Sequence, residues 1–186
     1  MSTLILLDRD GVINFDSPAY IKGPAEWHPI PGSLAAIARL KRAGFRVAVC
    51  TNQAGIGRGI LTREALDAIH DALYGALRRE GAELDGLVFC PHHPDDGCMC
   101  RKPEPGMLLD MMARFEVPPA RTVYVGDSVK DAQAAQRAEC RFALVRTGNG
   151  ATSEARARAA GACCVFDDLA AFATAAVSQS GSWRGC

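Results

Sequence analysis

Short apolar runs that end in polar residues and lead into helix-forming stretches recur along this chain. That recurrence constrains the fold more than any single motif. The first run, Leu4-Ile5-Leu6-Leu7, passes into Asp8-Arg9-Asp10-Gly11, and the second, Phe45 to Cys50, into Thr51-Asn52-Gln53. Leu87-Val88-Phe89 leads into a cysteine and histidine segment, Thr122 to Val125 ends in Gly126-Asp127-Ser128, and Phe142 to Val145 and Cys163 to Phe166 follow. Runs of this length without alternation read as strands buried on both faces.

Between them lie helical patterns. Ser33 is expected to cap a helix with Leu34, Ile37, Ala38 and Lys41 on one stripe and Gly44 at its stop, and Thr62 one carrying Leu66, Ile69, Leu73 and Leu77. A helix begun near Pro105 places Met107, Leu108, Met111 and Met112 at core spacing, an alanine-rich helix follows Asp127, and Asp167 or Asp168 caps the last. Ala54 to Gly59 reads as a glycine-rich loop. The expected fold is α/β: a single doubly wound, Rossmann-like parallel sheet with helices on both faces. One domain over residues 1–177 is expected, with a flexible tail from Ser178 to Cys186. No insertion is long enough for a large cap domain.

The 186 residues, 48% of them hydrophobic, suffice for a full core. Lys+Arg and Asp+Glu balance at 21 each, so overall charge recommends neither nucleic acid nor a membrane surface as partner. No apolar run approaches a membrane span, and a cytoplasmic monomer is expected. Cys50, Cys140, Cys163 and Cys164 read as strand or core residues, His28 and His70 as structural or exposed, and Trp27 as a rim contact, with no role assigned to Trp183.

In open parallel sheets, ligands bind beyond the carboxyl ends of the strands, where these polar tips converge. Asp8, Asp10, Thr51, Asn52, Lys102, Asp127 and Asp131 would then meet, a set suited to a metal-bound phosphate. Each residue alone has an ordinary structural explanation as a turn, cap or solvated charge. Their joint order at strand ends does not.

The segment from Cys90 to Cys100 holds three thiols and two imidazoles in eleven residues. It matches a closed tetrahedral zinc site formed by Cys90, His92, Cys98 and Cys100, with His93 competing for the nitrogen position. The alternatives are free thiols or a disulfide from Cys90. Zinc would contribute on the order of 10 kcal/mol to ordering the loop and would position Arg101 and Lys102.

Asp8-x-Asp10-Gly-Val, Thr51-Asn52, Lys102-Pro103 and Gly126-Asp127-x-x-x-Asp131 together resemble the four motifs of the haloacid dehalogenase (HAD) superfamily of phosphatases. The resemblance implies Asp8 as the nucleophile that forms an aspartyl-phosphate, Mg²⁺ held by Asp8, the Asp10 carbonyl and Asp127, and Asp131 in support. Asp10 would protonate the leaving alkoxide and later activate water. Lys102 would offset charge repulsion, while Thr51 and the backbone amides near Arg9 and Asn52, with Gln53 beside them, would hold the phosphate oxygens.

C-x-H-x₅-C-x-C before Arg101-Lys102-Pro103 is similar to a branch containing heptose-bisphosphate and histidinol-phosphate phosphatases. Leu7 to Asn14, Trp27 to Gly32 and Thr51 to Gly59 resemble the former more closely, implying removal of the C7 phosphate from a small sugar bisphosphate. The rim would comprise Ser17 to Trp27, Ala54 to Arg58 and the zinc loop, with Arg58 and Arg101 as partners for a second phosphate. The readings held against this one are a histidinol-phosphate phosphatase and a zinc-stabilised binding module without turnover.

Overall fold

A computed structural model of the chain describes residues 3–162 and 164–179. Among these, six parallel strands form one sheet in the order β3-β2-β1-β4-β5-β6. The strands are β1 (Leu4–Leu7), β2 (Arg46–Asn52), β3 (Gly86–Cys90), β4 (Thr122–Gly126), β5 (Arg141–Val145) and β6 (Cys164–Phe166). The helices are α1 (Ser33–Arg42), α2 (Ala54–Gly57), α3 (Arg63–Arg79), α4 (Gly106–Phe115), α5 (Val129–Arg137), α6 (Gly150–Ala159) and α7 (Leu169–Ser178).

The alternation of strand side chains divides the core in two. Ile5, Leu7, Val47, Val49, Val123 and Val125 meet Ile37 of α1, Leu66 and Leu73 of α3 and Phe172 of α7 on one face. Leu4, Leu6, Ala48, Tyr124 and Leu144 meet Met107 and Met111 of α4 and Ala132 and Ala135 of α5 on the other. Continuously apolar strands are thus explained by helices on both sides. The strand order reverses between β1 and its neighbours β2 and β4, so the end of β1 is the switch point at which ligands bind.

Thr62 caps α3 by accepting from the Ala65 amide, and Asp168, of the two aspartates considered, caps α7 through Ala171. Ser33 does not cap α1. Gly32, with a left-handed φ, occupies the cap position, and the Ser33 hydroxyl instead donates to the Ile13 carbonyl at 2.6 Å. The expected glycine-rich loop after β2 is the short helix α2, which docks on the segment after β3 through the bond from Gly57 N to Pro91 O at 2.8 Å. β2 also runs two residues further than expected, through Thr51 and Asn52, because both pair with β3.

Trp27 is not at a rim; it is buried in the α1, α3 and α7 face of the core. His70 is buried against Phe89 and His28 is exposed. Cys50, Cys140 and Cys164 are buried. The readings of Cys163, of Trp183 and of the tail beyond Gln179 fall outside the described residues. Between β1 and α1 the only helical element is a three-residue turn, Pro24–Glu26, and no cap is inserted there.

Replacing Ser33 by Ala should cost about 1 kcal/mol through the lost bond to Ile13. Urea denaturation measures this; an unchanged midpoint would show that the bond contributes nothing net.

Candidate active site and metal centre

Asp8 directly follows β1. Its Oδ1 accepts from the Arg9 amide at 2.8 Å and its Oδ2 lies 2.8 Å from Lys102 Nζ. All three ammonium protons of Lys102 have partners, because Nζ is also 2.8 Å from Asp131 Oδ1 and 2.7 Å from Tyr124 Oη. Lys102 and Asp131 are fully enclosed. Asp131 is the third residue of α5, where its Oδ2 accepts from the Ser128 amide and hydroxyl in a reciprocal capping box. The backbone of Lys102 is gripped by Asn52, which donates to its carbonyl and accepts from its amide, each at 3.1 Å.

Asp127 directly follows β4 and accepts at Oδ2 from the Asn149 amide at 2.7 Å. It is wedged between two glycines. A Cβ on Gly11 or on Gly148 would lie 2.2 Å from Asp127 Oδ2, and both glycines have positive φ, +81° and +58°. Thr147 Oγ1 donates to the Gly11 carbonyl at 2.6 Å and closes this side.

Asp10 is turned away from this cluster. Its Oδ1 accepts from Arg9 Nε at 3.0 Å and Asn14 Nδ2 at 2.8 Å, and its Oδ2 from Arg9 Nη2 at 3.0 Å and Gln53 Nε2 at 2.9 Å. The Arg9 guanidinium is therefore buried under Asp10 and not exposed to the cavity, and the Gln53 amide is spent on Asp10 and Thr51. The turn at Gly11 breaks the strand alternation that would otherwise set Asp8 and Asp10 side by side.

These groups line a cavity of about 210 Å³ that includes Asp8, Asp10, Thr51, Asn52, Arg101, Lys102, Asp127 and Asp131. Arg58 is exposed at the end of α2 and does not line it, nor do Ser17 to Trp27 or Ala54 to Arg58. Sequence reasoning missed Tyr124, Asn149, Asn14, Asp16 and Lys130. Asn149 follows β5 in a polar turn like those after β1, β2 and β4, so the same strand-end signal could have found it. Tyr124 could not be so found, since a tyrosine inside an apolar strand reads as core.

Oxygens of Asp8, Asp127 and Asp131 all lie within 4.8 Å of one another. Burial pushes the Asp8 carboxyl well above the usual range, with Asp131 and Asp127 adding to the rise against the pull of Lys102. Burial and the Asp131 charge push Asp127 up to about 7. For Asp131, burial acts upward but is outweighed by Lys102 and by the bonds from Ser128 and Tyr124, which hold it below the usual range. Two buried carboxylates that resist ionising beside a third are suited to a divalent cation.

The second cluster gathers Cys90, His92, Cys98 and Cys100. Its separations are 3.5 Å for Cys90–Cys98, 3.5 Å for Cys98–Cys100, 3.5 Å from Cys90 Sγ to His92 Nδ1 and 3.2 Å from His92 Nδ1 to Cys100 Sγ. Ligands about 2.0–2.3 Å from one tetrahedral ion are separated by roughly 3.3–3.8 Å, whereas a disulfide requires about 2.05 Å. These thiols are free and the set fits zinc. His93 is excluded from the cluster because its Nδ1 accepts from the Asp95 amide and caps the turn Pro94–Asp96.

Residues 99–172 match the HAD-hydrolase-like family model. The chain is 49% identical over 170 residues to the D-glycero-β-D-manno-heptose-1,7-bisphosphate 7-phosphatase of Bordetella bronchiseptica, covering 91% of this chain and 95% of that one. It is 48% identical over 173 residues to the same enzyme of Pseudomonas aeruginosa, covering 93% and 97%. The chain belongs to the D-glycero-β-D-manno-heptose-1,7-bisphosphate 7-phosphatase family of HAD-like hydrolases.

The crystal structure of the B. bronchiseptica phosphatase, complexed with magnesium and phosphate, superimposes with a TM-score of 0.90 at 47% identity, covering 95% of this chain and 99% of that one. The phosphatase from Burkholderia thailandensis gives 0.73 at 41%, with the same coverage. The family thus pairs this fold with phosphate ester hydrolysis, and the sequence-based reading of a HAD phosphatase holds.

In the metal-free protein, the raised carboxyl of Asp127 contributes stability that is present below about pH 4 and lost as pH rises towards about 7. A cation reverses that loss but must displace the proton below pH 7. The gain in Tm from saturating Mg²⁺ should therefore be larger at pH 8 than at pH 5.5; equal gains by thermal shift would contradict it.

Proposed function

We propose that the protein is a Mg²⁺-dependent phosphomonoesterase that removes the C7 phosphate of D-glycero-β-D-manno-heptose 1,7-bisphosphate and leaves heptose 1-phosphate. The observation that carries this reading is the Asp8 carboxylate at the switch point, paired to buried Lys102 and facing Asp127 across a polar cavity, in a chain 46–49% identical to heptose-bisphosphate phosphatases.

Asp8 attacks phosphorus, forming an acyl phosphate as the bond to the sugar oxygen breaks. Asp10 gives that oxygen its proton, then takes one from the water that attacks the acyl phosphate, releasing phosphate and freeing Asp8. Its carboxyl is aimed for both steps by Arg9, Asn14 and Gln53. Lys102 keeps its charge against the Asp8 oxygen and the transferring phosphoryl group, and Asp131 keeps Lys102 there. Thr51 and Asn52 line the phosphate cavity. Mg²⁺, held by Asp8, Asp127 and the Asp10 carbonyl, neutralises the charge of the transferring group when bound.

Zinc on Cys90, His92, Cys98 and Cys100 is read as structural, because four ligands close the tetrahedron and leave no position for water. Arg101 and Lys102 follow the last ligand directly, so the ion holds the chain that presents them. The reading keeps the expectation of a cytoplasmic monomer formed by one domain; no described helix is long and apolar enough to cross a membrane.

Asp8→Asn and Asp10→Asn should each lower kcat at least about a hundredfold with circular dichroism unchanged. An active Asp8→Asn protein would end the nucleophile assignment, and a higher kcat/KM on histidinol phosphate than on the heptose ester would end the substrate assignment. Metal analysis should find about one zinc per chain, lost in Cys98→Ser. Wild-type protein purified without zinc yet fully folded would refute the structural ion.

A further inference from the structure

Among the described residues, Arg9 is the largest side chain to be fully enclosed. The edge of its guanidinium made by Nε and Nη2 binds Asp10. Nη1, on the opposite edge, is buried without a hydrogen-bond partner. A guanidinium keeps its protons at any working pH, so those on Nη1 need an acceptor or destabilise the fold by their desolvation.

An acceptor lies on the same side of the sheet. His70 of α3 is buried, and its Nε2 is likewise without a partner. Arg9 lies two residues beyond Leu7 and Thr51 two beyond Val49, so both continue the face that α3 covers. Phe89, the register partner of Thr51, packs against the His70 ring with 5.7 Å between centroids. Burial, and next the Arg9 charge, press the imidazole down to about 4; Arg63 adds to the fall, while Asp67 and Asp10 oppose it. His70 is therefore neutral around pH 7, with one ring nitrogen protonated and the other free to accept.

We propose that His70 is a positioning residue for Asp10 that acts through Arg9: one enclosed water accepts from Nη1 and donates to Nε2, fixing the guanidinium that aims the acid. The inference rests on the reading of Asp10 as proton donor given above. The water joins the two atoms that the protein itself leaves unpaired. A guanidinium held along one edge can rock about that edge and carry Asp10 with it; one held on both edges cannot. The effect falls on one step, because an alkoxide needs a proton from Asp10 to leave, whereas a weakly basic aryl oxide leaves without one.

The test compares kcat/KM on heptose 1,7-bisphosphate with that on 4-nitrophenyl phosphate. His70→Leu should lower the first about tenfold, through kcat rather than KM, and the second by less than about twofold. His70→Gln, whose amide oxygen can accept in place of Nε2, should recover most of the loss. No loss in His70→Leu, or an equal loss on both esters, overturns the inference, as does a His70→Gln protein no better than His70→Leu. Asp10→Asn reports on the underlying reading. Equal loss on both esters there sinks the acid assignment and this inference together, whereas a selective Asp10→Asn beside an unselective His70→Leu sinks this inference alone.

Discussion

A fully enclosed ammonium must be paired with acceptors or lose its proton, and Lys102 meets that demand by binding Asp8, Asp131 and Tyr124 at once. The partners come from three different places in the fold: the end of β1, the first turn of α5 and the middle of β4. One side chain therefore sets the spacing between strand tips that the sheet alone leaves free to shift. The three clustered carboxylates and one ammonium leave a formal surplus of two negative charges, which is the demand that a divalent cation satisfies.

Two devices hold this arrangement in place. On one side, the cysteine and histidine loop after β3 delivers Lys102 to the Asn52 side chain, which grips its amide and carbonyl. That loop has little apolar burial of its own beyond Cys90, and its clustered Cys90, His92, Cys98 and Cys100 are a set that would hold zinc. On the other side, Gly11 and Gly148 let the backbone approach Asp127 more closely than any side chain permits. The cysteine and histidine loop and the start of α5 line the way in.

Much of the fold was legible because strands buried on both faces must be apolar throughout, and the helices between them must carry a stripe. The polar strand tips were legible for the same reason, as breaks in an otherwise apolar pattern. Local rules failed where a tertiary contact competed. Ser33 looked like a cap, but its hydroxyl meets Ile13; Ala54 to Gly59 looked like a loop, but docking on Pro91 winds it into a helix. Trp27, read as a rim contact, is drawn into the core.

Residue type and spacing along the chain are enough to give the class of fold, the chemical inventory at the strand tips and the grouping of thiols and imidazoles in the cysteine segment. Only the tertiary structure decided how the inventory is divided. It set the Arg9 guanidinium and the Gln53 amide on Asp10, brought Asp131 into the carboxylate cluster, selected His92 over His93 and recruited Tyr124 from within a strand. Each of those outcomes depends on which partner lies within hydrogen-bonding distance, and that distance is set by the packing of segments far apart in sequence.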